Sequence, residues 1–102
     1  MSLQKRYLKT REVSKVTFRL PAEAAPAAAA VMLVGDFNGW DPQATPMTRL
    51  RNGEYKVTLD LEPGREYGYR FLIDGAVWEN DWEADKYAPS GFADAENSVV
   101  IV

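Results

Sequence analysis

Residues 31–40, VMLVGDFNGW, decide how this chain folds. The first four residues are continuously apolar, which is typical of a strand that is covered on both faces. Glycine, aspartate and asparagine then follow within a few positions, and these residue types mark a turn. The turn ends on Trp40. Because a large ring is hard to bury in a turn, we predict that Trp40 lies where another molecule can contact it.

A second aromatic stretch, residues 74–82, DGAVWENDW, places Trp78 just past an Asp-Gly turn signal. An indole combines a flat apolar surface with one polar N–H, a mixture that suits the apolar face and polar rim of a sugar ring. Sugar contact is therefore one interpretation of both tryptophans. The alternatives are that Trp40 closes one end of the core, as we predict for Phe37, and that Trp78 packs within a hairpin.

Elsewhere the apolar residues mostly recur with period two, the strand period. Residues 15–20, 54–61 and 66–74 each predict a strand with one face in a core and one largely in solvent. Residues 98–102 are more continuously apolar and predict a central strand. Turn signals such as Asn-Gly and Pro-Gly separate these runs. Several short strands at such intervals predict an all-β sandwich or barrel.

Two segments depart from this pattern. Residues 22–30, AEAAPAAAA, are interrupted by a proline and predict a connection with a short helical turn. Residues 79–91, ENDWEADKYAPSG, predict a long ordered loop that Trp82 and Tyr87 anchor. We divide the chain into an N-terminal extension, residues 1–12, and a single domain, residues 13–102.

The composition excludes several classes of function. The 102 residues include no cysteine and no histidine, so disulfides, thiolate chemistry, Ser-His-Asp catalysis and the usual zinc ligands are absent. A net charge of −3 argues against a nucleic-acid partner. The sequence shows neither a signal peptide nor a membrane-length apolar segment, so we expect a cytoplasmic protein without a membrane partner. No cofactor and no metal are expected.

Carboxylates are the remaining candidates for catalysis. Glycoside hydrolysis needs two of them across a cleft, roughly 5 to 10 Å apart. The candidates are Asp36, Asp41, Glu79, Asp81, Glu83 and Asp85. Their number is ordinary for an acidic surface, and residues 81–85 lack the glycine and final glutamate of a calcium loop. We therefore predict solvated loop charge for residues 81–85 and a protein that is not an enzyme.

Two polar residues could complete a sugar site. Arg70 lies on the non-core face of the strand that leads to residues 74–78, and its guanidinium can donate hydrogen bonds to two neighbouring hydroxyls. Asn97 begins the last strand, and its amide both donates and accepts. The alternatives are a solvated surface arginine and an asparagine that starts a strand.

Three motifs, in this order and spacing, resemble carbohydrate-binding module family 48. They are VGDFNGW at residues 34–40, YRFLIDG at residues 69–75 with a tryptophan close behind, and NSVVIV at residues 97–102. This early-set immunoglobulin-like domain is found at the N-terminus of isoamylases and glycogen-branching enzymes. It is also the glycogen-binding domain in the β-subunit of the AMP-activated protein kinase.

The resemblance implies an immunoglobulin-like sandwich of about seven to eight antiparallel strands. It also implies a module that binds α-1,4-glucans such as glycogen or starch. Trp40 and Trp78 would stack on glucose rings, while Arg70, which replaces the family's frequent lysine, and Asn97 would bind hydroxyls. Some family members pack against a neighbouring enzyme instead of binding sugar. The alternative is therefore a module that docks on a separately encoded glycogen- or starch-active enzyme or regulator.

Overall fold

The computed structural model describes residues 3–91 and 95–102. Within these residues the chain forms nine strands and two short 3-10 helices. The strands are β1 (Leu3–Leu8), β2 (Val13–Leu20), β3 (Val31–Gly35), β4 (Thr48–Arg49), β5 (Tyr55–Leu61), β6 (Glu66–Ile73), β7 (Val77–Glu79), β8 (Lys86–Pro89) and β9 (Glu96–Ile101). The 3-10 helices are Ala22–Ala24 and Asp36–Asn38. The first of them is the helical turn predicted for the alanine-rich connection.

The strands form two antiparallel sheets that pack as a sandwich, which confirms the predicted fold class. The first sheet has the order β1-β2-β5-β4, and the second has the order β3-β6-β9-β8. Strand β7 pairs with the end of β6, beyond the segment of β6 that pairs with β9. The strand count exceeds the predicted seven to eight. Because β4 has two residues and β7 has three, neither is long enough for alternation to reveal it.

The core lies between the sheets and is built from the alternating residues of β2, β5 and β6. Its buried members on these strands are Val16, Phe18, Leu20, Tyr55, Leu61, Tyr67, Tyr69 and Phe71. The rings of Phe18 and Tyr69 meet edge to face, with centroids 5.0 Å apart, and Phe37 packs on Phe18 as predicted. Full burial of one such side chain stabilises the fold by about 1.5–3 kcal/mol.

Two segments differ from the sequence-based expectation. Strand β1, within the predicted N-terminal extension, pairs with β2 along its whole length, and Leu3 is buried. The domain boundary at residue 13 stays a prediction, but residues 3–8 complete the first sheet. The predicted long loop of residues 79–91 contains β8, which pairs with β9. Within the described ranges no helix is long and apolar enough to cross a membrane.

Candidate functional site

A groove of about 530 Å³ lies on the outer face of the second sheet. Its lining residues are Asp36, Trp40, Arg70, Trp78, Ser90 and Asn97. All four residues predicted for a sugar site thus line one groove, although they come from four separate segments of the chain. Their part in binding stays a prediction. Asp36 and Ser90 were not predicted to join them.

The strand register explains how the second sheet brings these residues together. Tyr69 and Phe71 of β6 point into the core, so Arg70 points to the outer face. Tyr69 stands opposite Ser98 of β9, which places Asn97 on the same outer face as Arg70. Leu72 lies on the outer face, two residues after Arg70 on the same strand. Trp78 of β7 stands opposite Leu72 and therefore also lies on this face.

The outer face of the second sheet is not simply solvated. Val34, Leu72 and Val99 lie there by alternation, yet all three are buried and stand apart from the core cluster. Apolar side chains are therefore covered on both faces of this sheet. This agrees with the prediction that residues 31–34 form a doubly covered strand.

Trp40 is positioned by its turn. Its backbone N–H donates to the carbonyl of Gly35 at 2.9 Å, and both Gly39 and Trp40 have positive φ, at 67° and 58°. A bulky residue rarely adopts this conformation, which costs about 1–3 kcal/mol. Asn38 supports the turn, since its Oδ1 accepts from the Gly35 N–H and its Nδ2 donates to the carbonyl of Leu33. The backbone of Trp40 is therefore held in place before any ligand arrives.

The indole of Trp40 is also held, by Asp36. Its Nε1–H donates to Asp36 Oδ1 at 2.7 Å, while Asp36 Oδ2 accepts from the backbone N–H of Gly68 at 2.6 Å. The carboxylate thereby joins the Trp40 ring to β6. Asp36 is exposed, as expected of a surface carboxylate, but it also has two protein donors, which the sequence analysis did not predict. The position of an aspartate four residues before the tryptophan, within one tight turn, is the signal that could have revealed the bond to the ring.

Gly35 allows β3 to approach β6 closely enough for this arrangement. A Cβ atom at Gly35 would lie 2.5 Å from the carbonyl oxygen of Gly68 and 2.8 Å from the Cβ of Tyr69. No larger residue fits there unless the strands move apart. The close approach also brings Asp36, the next residue, within hydrogen-bond distance of Gly68.

Trp78 is carried by the β6–β7 hairpin, and its side chain is 46% exposed. Asp74 and Gly75 in the connecting turn both have positive φ, at 52° and 68°. Asp74 Oδ1 also accepts from the backbone N–H groups of Ala29 and Ala30, which ties the hairpin to the start of β3. The hairpin therefore presents a half-exposed ring that lines the groove.

Arg70 and Asn97 form one unit. Arg70 Nε donates to Asn97 Oδ1 at 2.9 Å, and its Nη2 donates to the carbonyl of Glu96 at 2.8 Å. A guanidinium has only donors, so it is the amide oxygen of Asn97 that faces Arg70. Both side chains line the groove, and each has N–H groups beyond those in this bond. The pair can therefore donate hydrogen bonds to the oxygen atoms of hydroxyl groups.

The loop between β7 and β8 is anchored by Asp81. This residue is 1% exposed, its Oδ2 accepts from the Tyr69 hydroxyl at 2.7 Å, and its N–H donates to Ser98 Oγ at 2.8 Å. Burial, and then the negative charge of Asp81, raise the pKa of Tyr69, so the phenol stays protonated and donates. Asp81 is thus an exception to the predicted solvated loop charge.

The two aromatic residues predicted to anchor residues 79–91, Trp82 and Tyr87, have different environments. The Tyr87 hydroxyl donates to the carbonyl of Asp81, as an anchor would. Trp82 is 53% exposed, and its indole N–H donates to Glu79. The prediction that the Trp82 ring anchors the loop is therefore wrong. Among residues 3–91 and 95–102, no group of three or more acidic side chains is arranged to hold a metal ion.

Several known proteins are similar to this chain. A 1,4-alpha-glucan branching enzyme GlgB 2 from Xanthomonas campestris pv. campestris is 37% identical over 78 residues, which are 74% of this chain and 10% of that enzyme. A 1,4-alpha-glucan branching enzyme GlgB from Butyrivibrio fibrisolvens is 46% identical over 66 residues, 63% of this chain and 10% of that enzyme. Protein FLOURY ENDOSPERM 6, chloroplastic, from Oryza sativa subsp. japonica is 44% identical over 54 residues, 53% of this chain and 10% of that protein.

The chain spans about a tenth of the length of these curated relatives. The match to a family model is more extensive, because it covers residues 6–88. That model describes carbohydrate-binding module 48, the isoamylase N-terminal domain. With a two-sheet sandwich and a groove lined by two tryptophans, the chain belongs to carbohydrate-binding module family 48.

Proposed function

We propose that this protein is a non-catalytic module that binds α-1,4-glucan along the groove. The observation that carries the proposal is the convergence of Trp40, Trp78, Arg70 and Asn97 in a single groove. The two indoles supply apolar surfaces for the faces of glucose rings, and the Arg70–Asn97 pair supplies donors for their hydroxyl groups. The similarity to two 1,4-alpha-glucan branching enzymes supports this class of ligand.

The arrangement of carboxylates supports binding without catalysis. Asp36 is the one carboxylate among the described residues that line the groove, and both of its oxygens accept N–H bonds from the protein. Glycoside hydrolysis needs a second carboxylate across the scissile bond. With the residues that the structure describes, the groove therefore offers a surface for sugar rings and no acid–base pair to cleave them.

The affinity should be modest because the groove is open and shallow on one face of a sheet. We expect dissociation constants that are roughly micromolar to millimolar, about −8 to −4 kcal/mol. Calorimetric titration with maltoheptaose tests this directly. The parent protein should give saturable heat, and Trp40→Ala or Trp78→Ala should weaken binding at least about tenfold, which equals about 1.4 kcal/mol.

Trp82 provides a matched control. It is an exposed tryptophan of the same half of the molecule, but it does not line the groove. Trp82→Ala should bind maltoheptaose like the parent. Unchanged affinity in both folded groove variants would contradict the proposal, as would an equal loss in Trp82→Ala.

The exposure of Trp82 favours a second candidate function. A half-exposed indole outside the groove suits a protein interface, where tryptophan is enriched. The partner would be a glycogen- or starch-active enzyme, and the two functions would use different surfaces. Immobilised parent protein should then capture a glucan branching enzyme, while Trp82→Ala loses capture and keeps glucan binding. Equal capture by both proteins would rule out this use of Trp82.

A further inference from the structure

We propose that Asp36 is a positioning residue for glucan binding, which sets the plane of the Trp40 indole through a carboxylate bridge to β6. This inference rests on the function proposed above. It assigns a role to a carboxylate whose sequence context indicates only surface charge.

The geometry of the bridge uses both carboxylate oxygens. Oδ1 accepts from the Trp40 indole N–H at 2.7 Å, and Oδ2 accepts from the Gly68 backbone N–H at 2.6 Å. Both distances are short, at or just below the lower end of the range for N–H groups that donate to a carboxylate, and such charge-assisted bonds are the strong ones. Gly68 is paired with Val99 inside the second sheet, so one end of the bridge is a fixed point.

The bridge matters because the turn alone does not fix the ring. The backbone hydrogen bond of Trp40 and its positive φ set the position of Cα, whereas the rotation of an indole about its own side-chain bonds is broad. Stacking on a sugar ring needs a defined plane. A ring that is already held loses less side-chain freedom when the ligand binds. We therefore expect the bridge to improve affinity by about three- to tenfold.

Asp36→Asn separates the chemistry of the bridge from its shape. The asparagine has nearly the same size, but its amide offers one acceptor oxygen to two N–H donors, and its own N–H₂ faces the other donor. One of the two hydrogen bonds of the bridge must therefore be lost. Trp40→Phe removes the indole N–H from the other end and keeps an aromatic ring.

A double-mutant cycle with these two changes tests the mechanism, with maltoheptaose affinity as the readout. If Asp36 acts through the indole, Asp36→Asn should weaken binding about three- to tenfold in the parent and have no effect in the Trp40→Phe protein. An equal loss in both backgrounds would mean that Asp36 acts through the fold alone and would overturn the proposal, as would no loss in the parent.

A second measurement needs neither a ligand nor a variant that folds poorly. In nitrogen-15 spectra of the parent, the Trp40 indole N–H, identified by its absence in Trp40→Phe, should exchange with solvent more slowly than that of Trp78. Equal exchange would overturn the proposed bridge. If the parent shows slow Trp40 exchange but no saturable maltoheptaose binding, the bridge exists and the proposed function fails, and the positioning role falls with it.

Discussion

The two outer faces of the sandwich carry different kinds of residues. On the first sheet, charged and hydroxyl residues of β2 face matching partners on β5. Lys15 pairs with Asp60 at 3.1 Å, and the hydroxyls of Thr17 and Thr58 are 2.9 Å apart. The register places both pairs directly opposite each other. The second sheet instead carries the groove and buried apolar residues.

This difference indicates where polar groups contribute most to the free energy of unfolding. On the first face they remain in contact with water, and exposed ion pairs are worth about 0–1 kcal/mol. On the core-facing side of the second sheet, Asp81 and Ser98 are buried and the Asp81 backbone N–H donates to Ser98 Oγ, so removing a partner leaves a desolvated group. Substitutions of similar size should therefore cost little on the first face and much more around the second sheet.

The largest effect should come from Gly35→Ala. The new Cβ would lie 2.5 Å from the Gly68 carbonyl oxygen, so β3 and β6 must separate beneath the groove. We expect a loss of about 3 kcal/mol in the free energy of unfolding, measured by urea denaturation. Thr17→Ala on the first face is the control and should change it by less than about 1 kcal/mol. Similar losses in the two variants would remove the contrast between the faces.

Tyr69→Phe should have an intermediate effect. It removes the donor to the buried Asp81 carboxylate, and a hydrogen bond to a charged group contributes about 1.5–3 kcal/mol. Tyr55→Phe is the matched control, because its hydroxyl donates to the neutral carbonyl of Ala28 and should cost about 1 kcal/mol. Chemical denaturation of both variants gives the comparison, and a larger loss in Tyr55→Phe would reverse it.

The pH dependence of this pair follows from the raised pKa of Tyr69. The contribution of the Tyr69–Asp81 hydrogen bond to the free energy of unfolding is fully present below the ordinary tyrosine pKa of about 10. It is lost as the pH rises above that value. Tyr69→Phe should therefore flatten the loss of stability on the alkaline side. Urea denaturation of the parent and of Tyr69→Phe at several alkaline pH values measures this difference.

The smallest effect should come from Lys15→Ala on the first face. The Lys15 hydrogen bond is the main cause that lowers the pKa of Asp60, and Arg11 also contributes. Removing Lys15 should raise that pKa toward its ordinary value, which a carboxyl titration by nuclear magnetic resonance would detect. The contribution of the charged Asp60 to stability is present above the ordinary aspartate pKa. It is lost as the pH falls through the lowered pKa of Asp60. Maltoheptaose affinity should not change, and a changed affinity would connect the two faces.

The sequence predicted the parts of the fold that depend on alternation. Strands β2, β5 and β6 each bury one face, so their residues repeat with period two. Strand β1 was missed because residues 4–7 are all exposed, and the strand is held by its backbone pairing with β2. Strand β8 was missed because its acidic surroundings resemble a solvated loop, whereas the buried Asp81 orders the segment.

The groove residues also divide into those that the sequence predicted and those whose roles depend on strand packing. Trp40, Trp78, Arg70 and Asn97 were predicted because their chemistry and motif positions are visible in the sequence. The role of Asp36 was not, because it depends on the approach of residue 36 to Gly68, which is set by strand packing and not by local pattern. The bond between Arg70 and Asn97 likewise depends on the pairing of β6 with β9.

The placement of the tryptophans has an optical consequence. All three belong to the second-sheet half of the molecule, as Trp40, Trp78 and Trp82, while the core rings are phenylalanine and tyrosine. Tryptophan fluorescence will therefore report on the groove and its neighbouring loop, whereas tyrosine absorbance will report mainly on the core, which buries three of the five tyrosines, Tyr55, Tyr67 and Tyr69. The protein carries two separate intrinsic probes, so a single sample can show whether a treatment disturbs the groove before it loosens the sandwich.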